Sequence, residues 1–145
     1  MKVFLAGIIQ GSIAEADIHD QSWREDIRDL LARCLGEAEV YCHYSEHPES
    51  ITYDMADIRG TFRDGVRRAH ESDLLIAYLP SASMGTAIEM YEAHRHGAVV
   101  LTITPMSANW VVRLYSDRIF PDVESFGQFL AGDGLTRLFE AKGKP

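Results

Sequence analysis

Apolar residues follow two rhythms along this chain. Continuous runs at Val3 to Ala6, Leu74 to Leu79 and Ala98 to Ile103 read as strands buried on both faces of a sheet. Between them, apolar residues return every three or four positions. Trp23, Ile27, Leu30, Leu31 and Cys34 make one helical stripe, and Met55, Ile58, Phe62, Val66 and Ala69 make a second, expected to be buried. Val40 to His43 and Arg118 to Phe120 read as two further short strands. Met106 to Leu114 reads as a helix with Trp110, Val111 and Leu114 on one side, and Val123 to Ala131 and Leu135 to Lys142 read as terminal helices that cover the sheet. Alternating strands and helices imply right-handed crossovers and a parallel sheet. The expected fold class is α/β: a flavodoxin-like or Rossmann-like three-layer sandwich with a five-stranded, mainly parallel sheet, in a single domain over 1–145.

Punctuation between the elements sharpens this outline. Ser22 and Glu25 have capping-box spacing, and Gly36 is placed to end the helix that starts there. Residues 13–21 are polar and irregular, with a mobile loop expected from Glu15 to His19. A second loop is expected from His43 to Asp54, long for a compact α/β connection. Ligands of parallel sheets bind beyond the carboxyl ends of the strands. Two turns compete for that position: Gly7-Ile8-Ile9-Gln10-Gly11-Ser12 after the first strand, and Pro80 to Thr86 after the third. The first is neither a dinucleotide fingerprint nor a phosphate-binding P-loop.

Composition narrows the chemistry. The net charge is -8, so no basic footprint for nucleic acid dominates; the Arg63, Arg67, Arg68 cluster reads as a solvated helix face. Two cysteines without C-x-x-C spacing argue against a disulfide scaffold. No apolar run approaches a membrane span, and no signal peptide is evident, so a cytoplasmic location without membrane attachment is expected. His94 and His96 form an H-x-H whose members point to different faces of a helix. With no carboxylate at ligand spacing in this reading, neither a metal nor a cofactor is expected.

The densest chemistry lies in Ser81-Ala82-Ser83-Met84-Gly85-Thr86-Ala87-Ile88-Glu89. Thr86 and Glu89 have capping-box spacing, so Glu89 has a purely structural reading. It also has a functional one. Unpaired N–H groups at a helix start suit a phosphate or sugar hydroxyl at Ser81, Ser83 and Gly85, and their positive field would hold a carboxylate ionised. An ionised carboxylate beside a sugar is what covalent glycosyl transfer requires. The residues alone leave both readings open.

The opening Val3-Phe4-Leu5-Ala6-Gly7-Ile8-Ile9-Gln10-Gly11-Ser12, and Ser72-Asp73-Leu74-Leu75-Ile76-Ala77-Tyr78 followed by Ser83-Met84-Gly85-Thr86-Ala87-Ile88-Glu89-Met90, resemble the nucleoside 2-deoxyribosyltransferase family and the related nucleoside 5'-monophosphate N-glycosidases. The resemblance runs over roughly the first 115 residues. It implies Glu89 as nucleophile and Asp64 as the acid that helps the base leave; the spacing from Asp64 to Asp73 is one residue longer than the family's usual spacing, which sets Gly65 at the strict equivalent position. It implies substrate contacts from Phe4, Gly7, Gln10, Gly11, Ser12, Ser81, Ser83, Gly85 and Asn109. Phe4 stands where relatives often carry tyrosine, and Asn109 resembles a residue that reaches a neighbouring subunit's site. A nucleoside or nucleotide substrate, and a homodimer or larger homo-oligomer with a composite site, are therefore expected.

The implied reaction cleaves an N-glycosidic bond through a covalent ribosyl-glutamate, with another base or water as acceptor. Ser83, being uncharged, favours a 5'-phosphate over a bare 5'-hydroxyl. Two alternatives stand beside this: a non-catalytic nucleotide-binding or signalling module on the same fold, and a phosphoribohydrolase of the cytokinin-activating type, echoed by Gly85-Thr86-x-x-Glu89 but without that family's preceding Pro-Gly-Gly.

Overall fold

The computed structural model describes residues 1–143. Strands β1 (Lys2–Gly7), β2 (Glu39–Cys42), β3 (Leu74–Tyr78), β4 (Val99–Ile103) and β5 (Arg118–Phe120) form one sheet in the order β2-β1-β3-β4-β5. Every neighbouring pair is parallel, so the sheet is wholly rather than mainly parallel. The continuous apolar runs have the predicted cause, because successive side chains of a strand enter opposite layers. Val3, Leu5, Leu74, Ile76, Val99 and Leu101 face one core with Trp23, Ile27, Leu31, Phe126, Leu130 and Leu135. Phe4, Ala6, Leu75, Ala77 and Val100 face the other with Ala69, Met90, Ala93 and Val112.

Helices α1 (Trp23–Leu35), α6 (Val123–Ala131) and α7 (Gly134–Ala141) thus cover one face; α3 (Met55–His70), α4 (Met84–Arg95) and α5 (Trp110–Tyr115) cover the other. The expected long loop after β2 contains a short helix, α2 (His43–Glu46), and a 3-10 turn at Ser50–Thr52. The segment before α1 is tied back to the sheet end: His19 N–H donates to the Ile9 carbonyl at 2.7 Å, and the Gln21 amide donates to the Ile8 carbonyl at 3.0 Å. No helix among the described residues is long and apolar enough to cross a membrane.

Three local expectations are corrected. Ser22 makes no capping bond; its hydroxyl turns to Asp20 at 2.5 Å. Thr86 does not cap α4. Ser83 does, accepting from Thr86 N–H at 3.4 Å and from the Thr86 hydroxyl at 3.0 Å. The helix therefore starts three residues earlier than a Thr86–Glu89 box would require. The third correction concerns α3, whose buried residues are Gly65 and Ala69. Met55, Ile58 and Phe62 instead lie exposed, beside exposed Met84, Ile88 and Tyr91 on α4 and its first turn and Trp110, Val111 and Leu114 on α5. Helical periodicity reveals that a stripe shares one face, not what that face meets.

Candidate active site

A cleft of about 250 Å³ opens at the carboxyl ends of β1 and β3, where crossovers leave the sheet in opposite directions. The turn after β1 supplies Gly7, Ile9, Gln10 and Gly11; the start of α4 supplies Ser83, Met84, Gly85, Thr86 and Glu89. Phe62 and Gly65 of α3, His43 of α2, and Ser50 and Ile51 complete the wall. Both candidate turns thus serve one cleft.

Gly7 is there for want of space: a Cβ would stand 2.3 Å from the Trp23 ring and 2.9 Å from the Tyr78 carbonyl oxygen. Gly11 has φ 58°, a left-handed conformation that turns the chain back toward the cleft. The Gln10 amide donates to the Glu15 carbonyl at 3.0 Å, bracing the same loop.

With Ser83 as cap, Glu89 sits beyond the first turn of α4 and has no capping duty. Its carboxyl lies at the cleft wall, and burial pushes it up to about 8, against the pull of Arg24. The expectation that the helix start would keep this group ionised is therefore corrected. Helix fields fall off within the first turn, and here desolvation outweighs them.

Arg24 is a buried charge near the cleft that the sequence did not reveal. It is only 4% exposed beneath the β1 turn, donating to Gln21 at 2.7 Å, to the Cys42 sulfur at 3.2 Å and to the Gly7 carbonyl at 3.3 Å, with its guanidinium 4.2 Å over the Trp23 ring. It is the charge that partly offsets the cost of ionising Glu89. An arginine at a helix start looks solvated in a sequence; only packing shows it buried.

His43 was likewise missed, having been read as the end of a strand. Its Nδ1 is buried without a hydrogen-bond partner among the described residues. Burial, then the neighbouring His47 and Arg24, push it down to about 4, so it is neutral near pH 7. A Cβ at Gly65 would stand 3.6 Å from His43 Nδ1 and 3.7 Å from Glu89 Oε1. The two side chains border one space, with Gly65 as its floor.

Several expected contacts lie elsewhere. Asp64 is outside the cleft, bonded to Arg67 and, at 2.7 Å, to Arg68, and these bonds hold its carboxyl below the ordinary range. Gly65, one residue on and about 100° round the helix, takes the inward position. Phe4 is buried in the α3/α4 core against Tyr41, with ring centroids 5.1 Å apart. Ser12 is exposed and, like Ser81, does not line the cleft. Asn109 is exposed and caps α5, accepting from Val111 N–H at 2.9 Å and Val112 N–H at 3.3 Å.

No protein-family model matches the sequence, and no curated protein matches it significantly. Solved structures do match. The 2-deoxyribosyltransferase of Bacillus psychrosaccharolyticus is similar with TM-score 0.63 and 17% identity, over 88% of this chain and 90% of that one. A conserved protein from Enterococcus faecalis V583 has TM-score 0.61 and 15% identity, over 90% and 96%. The CMP N-glycosidase BcmB of Clostridium botulinum has TM-score 0.51 and 20% identity, over 90% and 98%. The chain has the fold of a 2-deoxyribosyltransferase and of a nucleotide N-glycosidase, over nearly the whole length of each.

Proposed function

We propose that this protein cleaves the N-glycosidic bond of a nucleoside or nucleoside 5'-monophosphate, with Glu89 as nucleophile. The observation that carries the reading is the Glu89 carboxyl, released from capping by Ser83 and set in a cleft between two strand-end turns. The activities named for two neighbours of this fold support it.

The reaction runs in two displacements. Ionised Glu89 attacks the anomeric carbon as the carbon–nitrogen bond breaks through an oxocarbenium-like transition state. The base leaves with the electron pair and needs a proton. Neutral His43 supplies it as a relay, donating from one ring nitrogen while the other takes a proton from solvent. This gives His43 the part that the resemblance assigned to Asp64, which is engaged with Arg67 and Arg68. A second acceptor, base or water, then attacks the same carbon and frees Glu89.

Ser83 and the first-turn N–H groups of Met84 and Gly85 receive the sugar 5' end. With no carboxylate among those three, a 5'-phosphate is accommodated. Gln10 and Gly11 close over the sugar. A second copy of the chain covers the exposed apolar face of α3, α4 and α5. Phe62 and Met84 belong both to that face and to the cleft wall, which makes the site composite.

A non-catalytic nucleotide-binding module is the second reading, favoured by Gly65 standing where an acid is expected. The deciding experiment incubates ribo- and deoxyribonucleosides and their 5'-monophosphates with the protein, with and without a free acceptor base, and separates the products by chromatography. Free base without acceptor identifies a hydrolase, and an exchanged nucleoside identifies a transferase. Binding without turnover across the panel, or turnover that survives Glu89→Gln unchanged, overturns the proposal.

A further inference from the structure

The far ends of α3 and α4 carry a second cluster, which contributes nothing to the cleft. His70 closes α3, and Glu92 and His96 lie one turn apart at the end of α4. One ligand atom from each falls within 4.8 Å of the other two. Glu92 Oε1 is 3.2 Å from His70 Nδ1 and 3.4 Å from His96 Nδ1. Ligands held about 2.0–2.2 Å from a tetrahedral ion stand about 3.3–3.5 Å apart, so two of the three edges are already near the spacing of a coordinated triad.

We propose that His70, Glu92 and His96 form a binding site for a borderline first-row divalent cation, zinc in the first place. Two imidazoles and one carboxylate are the donors such an ion prefers, and a water fills the fourth position. The Glu92/His96 pair has the i, i+4 spacing that presents two ligands on one helix face. The side chains are 49%, 17% and 27% exposed respectively, open enough for an ion to enter. Arg95 lies 3.7 Å from the other Glu92 oxygen, so Oε1 is left facing the two rings. His96 Nδ1 also sits 2.9 Å from the Glu92 carbonyl. The ion displaces that bond, with the ring proton carried on Nε2.

The expected consequence is structural. The three ligands come from two helices, so the ion fastens the last turn of α3 to the last turn of α4. These helices also present Phe62, Gly65 and Glu89 to the cleft. Loading therefore steadies one wall of the site without touching the reacting atoms. H-x-H spacing alone hides this arrangement, because His94 packs toward Tyr115 while the third ligand comes from the preceding helix.

The test titrates zinc into metal-free protein against a chromophoric chelator, alongside His70→Ala, His96→Ala, Glu92→Gln and the control His94→Ala. One zinc per chain and a higher melting temperature are expected for the wild type. At least a tenfold loss of affinity is expected in each cluster variant and none in the control. Should a variant misfold, the wild type decides by itself: nitrogen NMR of the imidazoles shifts His70 and His96 on zinc addition. Stoichiometric binding absent at micromolar zinc, affinity retained in the cluster variants, or shifts confined to other histidines overturns the proposal.

Discussion

Replacing Glu89 by glutamine should make the protein inactive and more stable at once. The carboxyl rises from an ordinary 4.5 to about 8 on folding because burial penalises its charge. A group whose folded value is raised stabilises the fold fully below its unfolded value, and that contribution is lost as pH climbs through the folded value. Here the window runs from 4.5 to about 8. At pH 7 the loss is about 3 kcal/mol, from 1.36 kcal/mol per pH unit over the unfolded value. Glu89 is only partly buried and lines the open cleft, which reduces this to about 2 kcal/mol. Glutamine has the same shape and no charge, so it escapes the loss. For a chain of this size that is about 6 °C in melting temperature. Melting curves of wild type and Glu89→Gln across about pH 4 to 9 test it. The curves should coincide near pH 4, below the unfolded value, and separate as pH rises. Equal curves throughout, or a variant less stable at pH 8, would refute burial as the cause of the shift.

Turnover should show the complementary trend, with kcat/KM rising toward pH 8 in rate profiles as free-enzyme Glu89 ionises. His43→Gln should lower kcat about 100-fold while leaving melting near the wild-type value, since its Nδ1 has no partner to lose. Gly7→Ala should destabilise by about 1–3 kcal/mol in denaturant titration, because the Cβ would strike the Trp23 ring. Ile88→Glu and Trp110→Glu, both on the exposed apolar face, should shift light-scattering mass to the monomer and lower activity together.

The fold was legible because parallel strands buried on both faces leave runs such as Leu74 to Leu79 that few other structures explain. Both turns that line the cleft were legible for the same reason, being fixed at strand ends. The errors lie where one residue of offset changes a direction. Ser83 and Thr86 both belong to cap-prone residue types, and only the helix start decides between them. Asp64 and Gly65 differ by about 100° of helix rotation. Met55, Ile58 and Phe62 obey the same period whether they face a core or the outside. Arg24 and His43 owe their character to burial among residues distant in sequence, which no local pattern encodes.

The place of β1 in the sheet has a consequence for how the chain matures. Val3 pairs with Leu74, and the Lys2 amide donates to the Asp73 carboxylate at 2.8 Å, across a sequence separation of 71. On a ribosome adding about 5–20 residues per second, β1 and β2 wait several seconds for the strand that completes their sheet. Until β3 emerges, α1 and α3 have been made but α4 to α7 have not, so both faces of the nascent sheet are only partly covered and one edge of β1 is unpaired. Chaperone capture, or aggregation where capture fails, should therefore concentrate in the interval before β3 is released.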